Sequence, residues 1–164
     1  MLVDAFEAMQ DLAFLTDSVT ACEFVAPQIR RLTESAVCLV YLYEINRDEL
    51  VLSFADGYEL STGTRVPATS GPRGEAAIRN RVVVLSEPVE ESSANTAPPG
   101  GAVMFVPVRH DHRLFGVIET HRARGVRDYS GDQQQVAIYV AAQLGEFLSQ
   151  HSRRIGFKDD SHKR

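Results

Sequence analysis

Residues 2–15 place Leu2, Phe6, Met9 and Ala13 at steps of four, three and four, with Leu12 and Leu15 on a neighbouring stripe. That period predicts a helix with one apolar face. Asp17 or Ser18 is suited to cap a second helix, which reaches roughly Thr33. Pro27 predicts a kink or a restart within it, because its ring removes an amide donor. The segment AVCLVYLYEI, 36–45, is β-branched and aromatic and apolar at both alternating sets of positions, which predicts a central strand covered on both sides. NRDE is then a turn, and LVLSFAD the returning hairpin strand, ended by Gly57.

A short strand near 58–67 precedes SGPRGEAAIRN, where a serine cap and a proline just inside it predict a short helix near 71–80. VVVLS follows as a strand. Residues 87–101, EPVEESSANTAPPGG, predict a loop, since Pro, Gly, Ser and Asn fill them. AVMFVPV and LFGVIET have strand composition on either side of RHDHR, which makes a hairpin with an exposed polar turn. In YSGDQQQVAIYVAAQLGEFLSQH, Ser130 and Gln133 stand in capping-box spacing, and Val136, Val140, Leu144 and Phe147 share one face of a long closing helix. Beyond it the charge density predicts a flexible tail, so the chain divides into one domain over 1–152 and a tail over 153–164. With no internal repeat, this order of elements points to an α+β domain, an antiparallel sheet with helices from both ends of the chain on one face.

Composition narrows the function. Of 164 residues 44% are hydrophobic, enough for one ordinary core. A formal net charge of −5 and a pI near 5.5 argue against a nucleic-acid binder, whose affinity comes from clustered Lys and Arg. The first positive side chain is Arg30, so the start lacks the basic region of an export signal. The apolar run 133–145 carries four glutamines and is too short to span a membrane. A soluble, cytoplasmic protein is expected, and Cys22 and Cys38, among apolar neighbours, fit a reducing compartment as buried small hydrophobes.

The candidate chemistry is sparse. His110, Asp111 and His112 are ligand types, but a closed metal site needs about four ligands with supporting hydrogen bonds, so an exposed turn is expected and no metal. There is no G-x-S-x-G elbow, and SGPRG lacks the Lys and Ser/Thr of a phosphate loop. Glu87, Glu90 and Glu91 read as a solvated group, and Arg122, Arg124 and Arg127 as a short basic cluster serving solubility, or else docking an acidic partner or an anionic ligand.

Four segments in order resemble the GAF domain, a small-molecule-sensing module of signalling proteins. They are the hairpin AVCLVYLYEINRDELVLSFADG, the segment SGPRGEAAIRNRVVVLSEP, the hairpin VMFVPVRHDHRLFGVIE, and YSGD opening the last helix. The resemblance covers about residues 2–150. It implies a GAF-like (PAS-like) antiparallel sheet of five to six strands, with the terminal helices on one face and a short helix plus loops over the other. It also implies a ligand pocket on the second face, lined by Leu39, Tyr41 and Tyr43 with Ser53 and Ala55 of the neighbouring strand. Where cyclic-nucleotide-binding members carry an Asn-Lys pair, this chain has Thr120 and His121. Tyr129 replaces their phenylalanine, and Gln133 and Gln134 stand for their acidic pair, so a cyclic nucleotide is disfavoured. Neither Cys22 nor Cys38 falls where bilin attachment or sulfoxide-reductase chemistry needs a pocket cysteine.

The resulting expectation is a non-catalytic sensor or regulatory module without cofactor, binding an unidentified small ligand and signalling through its terminal helices to a protein partner. A homodimer through Phe6, Met9, Val140, Leu144 and Phe147 is expected with it, though the same stripe could simply cover the sheet. A ligand-free dimerisation or adaptor module is the competing class, and a sulfoxide-reductase-like enzyme a weaker third.

Overall fold

The structure, a computed structural model, describes residues 2–88 and 99–163, with residues 152–163 described by their backbone alone. The loop expected over 87–101 therefore lies largely outside the described residues. The chain opens with helix α1 (Leu2–Met9), continued by a 3-10 turn over Gln10–Phe14, and helix α2 (Ser18–Leu32). Asp17 caps α2, its carboxylate accepting from the Thr20 amide at 2.7 Å. Pro27 neither ends nor restarts α2, which is one continuous helix. Both Pro27 and Glu23, whose carbonyl loses its donor, lie on the solvent face, where water can serve that carbonyl.

Strands β1 (Val37–Glu44), β2 (Glu49–Asp56), β3 (Arg65–Pro67), β4 (Val83–Leu85), β5 (Gly100–His110) and β6 (Arg113–Ala123) form one antiparallel sheet in the order β3-β2-β1-β6-β5-β4. Helix α3 (Gly71–Arg79) lies between β3 and β4 in sequence, and α4 (Gly131–Lys163) closes the chain. Ser70 occupies the N-cap of α3, but its side chain makes no cap bond, contrary to the expected serine cap. At α4 the expected capping box is complete. The Ser130 amide donates to Gln133 Oε1 at 2.9 Å, and the Gln133 amide donates to Ser130 Oγ at 3.1 Å. The backbone of α4 stays helical through the segment read from sequence as a tail.

The sheet separates two hydrophobic cores. Cys38 and Val40 of β1, with Met104, Val106 and Val108 of β5 and Ile118 of β6, pack against α1, α2 and α4. Leu39 and Tyr41, one residue out of step, pack with Leu50, Leu52, Phe105 and Val117 beneath Ala76 and Ala77 of α3. Central strand β1 is thus apolar on both faces because both are covered. The β5–β6 turn has Asp111 at φ 49° and His112 at φ 65°, with His110 paired to Arg113. Two successive left-handed residues make a type I′ hairpin turn.

Helix α4 crosses β5 closely. A Cβ added to Gly145 would stand 2.4 Å from the Arg109 carbonyl oxygen, whereas one added to Gly131 would meet nothing within 4 Å. Gly145→Ala is expected to lower the unfolding free energy by about 1–3 kcal/mol as α4 is pushed off the sheet. Gly131→Ala, in the first turn of the same helix, should leave it unchanged or slightly raised. Urea unfolding midpoints of the two variants check this.

Candidate functional site

The face beneath α3 is where chemistry gathers. Leu39 and Tyr41 are buried there, and Tyr43 and Ala55 are packed at its margin. Ser53, expected beside them, is not. A β-bulge shifts the register of β2 between Val40 and Tyr41, so that Val40 pairs with Phe54 and Tyr41 with Leu52. The extra residue at the bulge is Ser53, whose hydroxyl bears on the Cys22 thiol of α2, on the helix side of the sheet.

On β6, Glu119 and His121 point toward α3, two residues apart on one face. Arg73 of α3 reaches down to Glu119 with both arms of its guanidinium, Nε donating to Oε1 at 2.7 Å and Nη2 to Oε2 at 3.3 Å. The guanidinium carbon lies 5.5 Å from the Tyr41 ring centroid and 5.8 Å from that of Phe105. His121 Nε2 meets Glu119 Oε2 at 2.6 Å. Glu119 and His121 each keep 3% of the side chain exposed, and Arg73 31%, so the arginine forms the outer rim of a buried pair. Burial alone would raise the Glu119 carboxyl. The His121 hydrogen bond and the Arg73 charge outweigh it and hold the group below the ordinary glutamate value. An ionised Glu119 only accepts, so Nε2 carries a proton. Nδ1, buried, has no partner among the described residues.

The alternate residues of β6 serve the helix face. Arg122 is 3% exposed and is no part of an exposed basic cluster. Its Nη1 donates to the Arg127 carbonyl at 2.7 Å and its Nη2 to the Thr33 carbonyl at 2.8 Å, and the guanidinium carbon stands 4.5 Å from the Tyr129 ring centroid. Two orphan-prone ends, that of α2 and the loop before α4, are thereby satisfied at once, while the buried Nε of Arg122 has no partner among the described residues. The Tyr129 hydroxyl continues the network through Ser35 Oγ at 2.7 Å and Thr33 Oγ1 at 2.8 Å to the Ile29 carbonyl at 2.6 Å. Since a carbonyl only accepts, all three hydroxyls donate in that direction.

The remaining expected residues fall elsewhere. Val140, Leu144 and Phe147 are buried within the chain because α4 needs that stripe to cover the sheet, and Met9 of α1 is buried in the same core. Of the dimer stripe only Phe6 stays exposed, alongside Leu2 and Val3 of α1. His112 and Asp111 are exposed at the hairpin turn, with His110 Nε2 3.5 Å from Asp111 Oδ2. Among the described residues no group of three or more His, Cys, Asp or Glu could hold a metal ion, and no helix is long and apolar enough to cross a membrane. Cys22 and Cys38 are both buried and free on the helix side. Burial pushes the Cys22 thiol up to about 11 and Cys38 well above its ordinary value.

Arg73, Glu119, His121 and the buried role of Arg122 escape a reading by period. The available signal was ETHR itself, four polar residues continuing an apolar strand without a turn residue among them.

Residues 16–149 match a family model described as a GAF domain. Among curated proteins nothing matches the chain. Solved structures that it resembles include the GAF domain of an Acinetobacter phosphoenolpyruvate-protein phosphotransferase, at 18% identity and a TM-score of 0.78, covering 94% of this chain and 95% of that one. The corresponding domain from Coxiella burnetii is similar at 15% identity and a TM-score of 0.80, with the same coverage. A free methionine-R-sulfoxide reductase from Neisseria meningitidis, solved with its substrate, is similar at 20% identity and a TM-score of 0.74, over 92% of this chain and 89% of that one.

Because the Glu119 carboxyl sits below its unfolded value, the stability it contributes is present above that value, near 4.5, and is lost as pH falls through the lower folded value. Wild-type protein should lose stability as pH drops below about 4.5, and Glu119→Gln should lose less over the same window. At neutral pH the same substitution is expected to cost about 3–5 kcal/mol, since it leaves Arg73 and His121 over a neutral group. Urea titrations at a series of pH values measure both.

Proposed function

The chain belongs to the GAF domain family, and from that premise we propose that it is a non-catalytic sensor or regulatory module of a signalling system, binding a small ligand on the sheet face under α3. The carrying observation is the buried Arg73–Glu119–His121 group with His121 Nδ1 left without a partner among the described residues. A buried polar nitrogen without a partner costs about 1–3 kcal/mol, and a bound polar group is one way to recover it. Leu39, Tyr41 and Phe105 supply the apolar wall beside it, with Tyr43 and Ala55 at the margin. Occupancy there bears on β6, whose alternate residue Arg122 grips the end of α2 and the approach to α4, so the response is a shift in how the terminal helices sit.

The thiols support a regulatory rather than a reductase role, since both lie on the far side of the sheet with raised pKa values. The same reading places the protein in the cytoplasm, working as a homodimer with a signalling partner. A second reading, a ligand-free dimerisation or adaptor module, is favoured by Leu2, Val3 and Phe6, which α1 leaves exposed.

Protein isolated gently from its own cells should retain a small molecule in native mass spectrometry, or show a thermal shift with members of a metabolite panel. His121→Ala should lose either signal while keeping its circular dichroism spectrum. Absence of both signals, together with a dimer that Phe6→Glu dissociates, sinks the sensor reading in favour of the adaptor. Ellman's reagent should find neither thiol reactive in the native protein and both in denaturant; a fast native reaction at Cys22 or Cys38 would reopen the reductase reading.

A further inference from the structure

Strand β5 outruns its outer neighbour. Strand β4 pairs with it only from Val83, opposite Phe105, to Leu85, opposite Val103, so residues 106–110 of β5 have no strand beyond them. A cavity of about 540 Å³ opens along that stretch, within the range of small-ligand sites. Val82, on the approach to β4, and Val106 and Pro107 of β5 give it apolar walls, and Ile138 and Ala142 of α4 line it from the helix side. None of these residues belongs to the core beneath α3. An added strand fits this edge poorly, since Pro107 has no amide to offer and α4 crosses β5 at Arg109, where Gly145 stands.

Arg109 supplies the charge. Its Nη1 donates to the His112 carbonyl at 3.0 Å and its Nη2 to the Ala77 carbonyl. Both partners are neutral, so the guanidinium is held between the hairpin turn and α3, while its charge has no carboxylate partner among the described residues. Two of its five N–H groups are spent in this way, and its buried Nε has no partner among the described residues. His110 and His112 bring two imidazoles to the same cavity. Arg81 lines it too, but is paired with Glu75 at the surface. The carboxylate in the lining, Asp111, has its side chain 77% exposed, with Oδ2 3.5 Å from His110 Nε2.

We propose that this cavity binds a small phosphate monoester, its phosphate between Arg109 and the imidazoles of His110 and His112, its organic body against Val82, Val106 and Ile138. A guanidinium already fixed by two carbonyls meets an anion with little further loss of side-chain freedom. A tetrahedral oxyanion can take donors from three side chains at once, whereas a planar carboxylate is matched by the guanidinium alone. The apolar walls select an ester over the free ion, because the body leaves water as it enters. Arg109 also grips Ala77, so the occupant adjoins the end of α3 remote from Arg73.

The test titrates the full chain with phenyl phosphate, inorganic phosphate, benzoate and phenol, followed by amide chemical shifts. Phenyl phosphate should bind at least about tenfold more tightly than any of the other three, with shifts centred on Val106, Arg109 and Ala142. Ala142 is exposed on α4, so its replacement leaves the fold in place. Ala142→Glu sets a carboxylate in the cavity and should weaken phenyl phosphate at least about tenfold, while Ala142→Gln, of the same size without the charge, should stay within about twofold. Asp111→Asn, which keeps a residue suited to the left-handed backbone, should tighten binding about two- to threefold. The proposal is overturned if benzoate, phenol or inorganic phosphate binds as well as phenyl phosphate, or if the shifts centre on Arg73 and His121. Binding that survives Ala142→Glu, an equal loss in the Gln and Glu variants, weaker binding in Asp111→Asn, or no saturable binding up to about 10 mM overturns it too. None of these outcomes bears on ligand retention at His121, which the experiments on that face measure separately.

Discussion

Four consecutive side chains of β6, Glu119, Thr120, His121 and Arg122, are polar and buried in the middle of the sheet, and much of the remaining architecture answers to them. An ion withdrawn from water costs several kcal/mol unless a partner of opposite sign or a set of dipoles replaces the solvent. The partners here come from three different elements. Arg73 holds α3 down onto one face, while the carbonyls of Thr33 and Arg127 bring the end of α2 and the approach to α4 to the other. A single strand thus sets where two helices end or begin and where a third must lie.

The alternation of strand side chains gives this arrangement its functional sense. Glu119 and His121 belong to the face under α3, and Arg122 to the face under the terminal helices, so one backbone carries both groups. In the proposed sensor, an event under α3 and a response in α2 and α4 share that backbone and need no longer path. The Tyr129–Ser35–Thr33–Ile29 hydroxyl chain ties the same helix ends together, immediately before the Ser130 capping box opens α4. The two thiols lie on the helix side, away from this chemistry, and burial keeps them protonated.

Much of the fold was legible because it follows from local rules. Apolar alternation on both sets of positions marked β1 as a doubly covered strand, Asp17 and the Ser130–Gln133 box marked two helix starts, and RHDHR marked a turn. Pro27 brings no restart, because the carbonyl it leaves without a donor is on the solvent face, which exposure decides. Ser53 misled because one extra residue in β2 reverses which way a side chain points, and a bulge leaves no mark on composition. The face of α4 read as a dimer stripe is apolar for a nearer reason, to cover its own sheet.

By itself the sequence determined most element types, their order and an antiparallel sheet with terminal helices on one face, since these depend on periodicities a few residues long and their succession, while the lighter cover of the second face followed from the resemblance to the GAF domain. The tertiary structure alone decided that Arg73 meets Glu119 across 46 positions and that Arg122 reaches Thr33 across 89. Such pairings are set by how strands and helices pack, and a charged residue's letter is the same whether it ends in water or in a buried network. Surface and site looked alike along the chain for that reason, and burial told them apart.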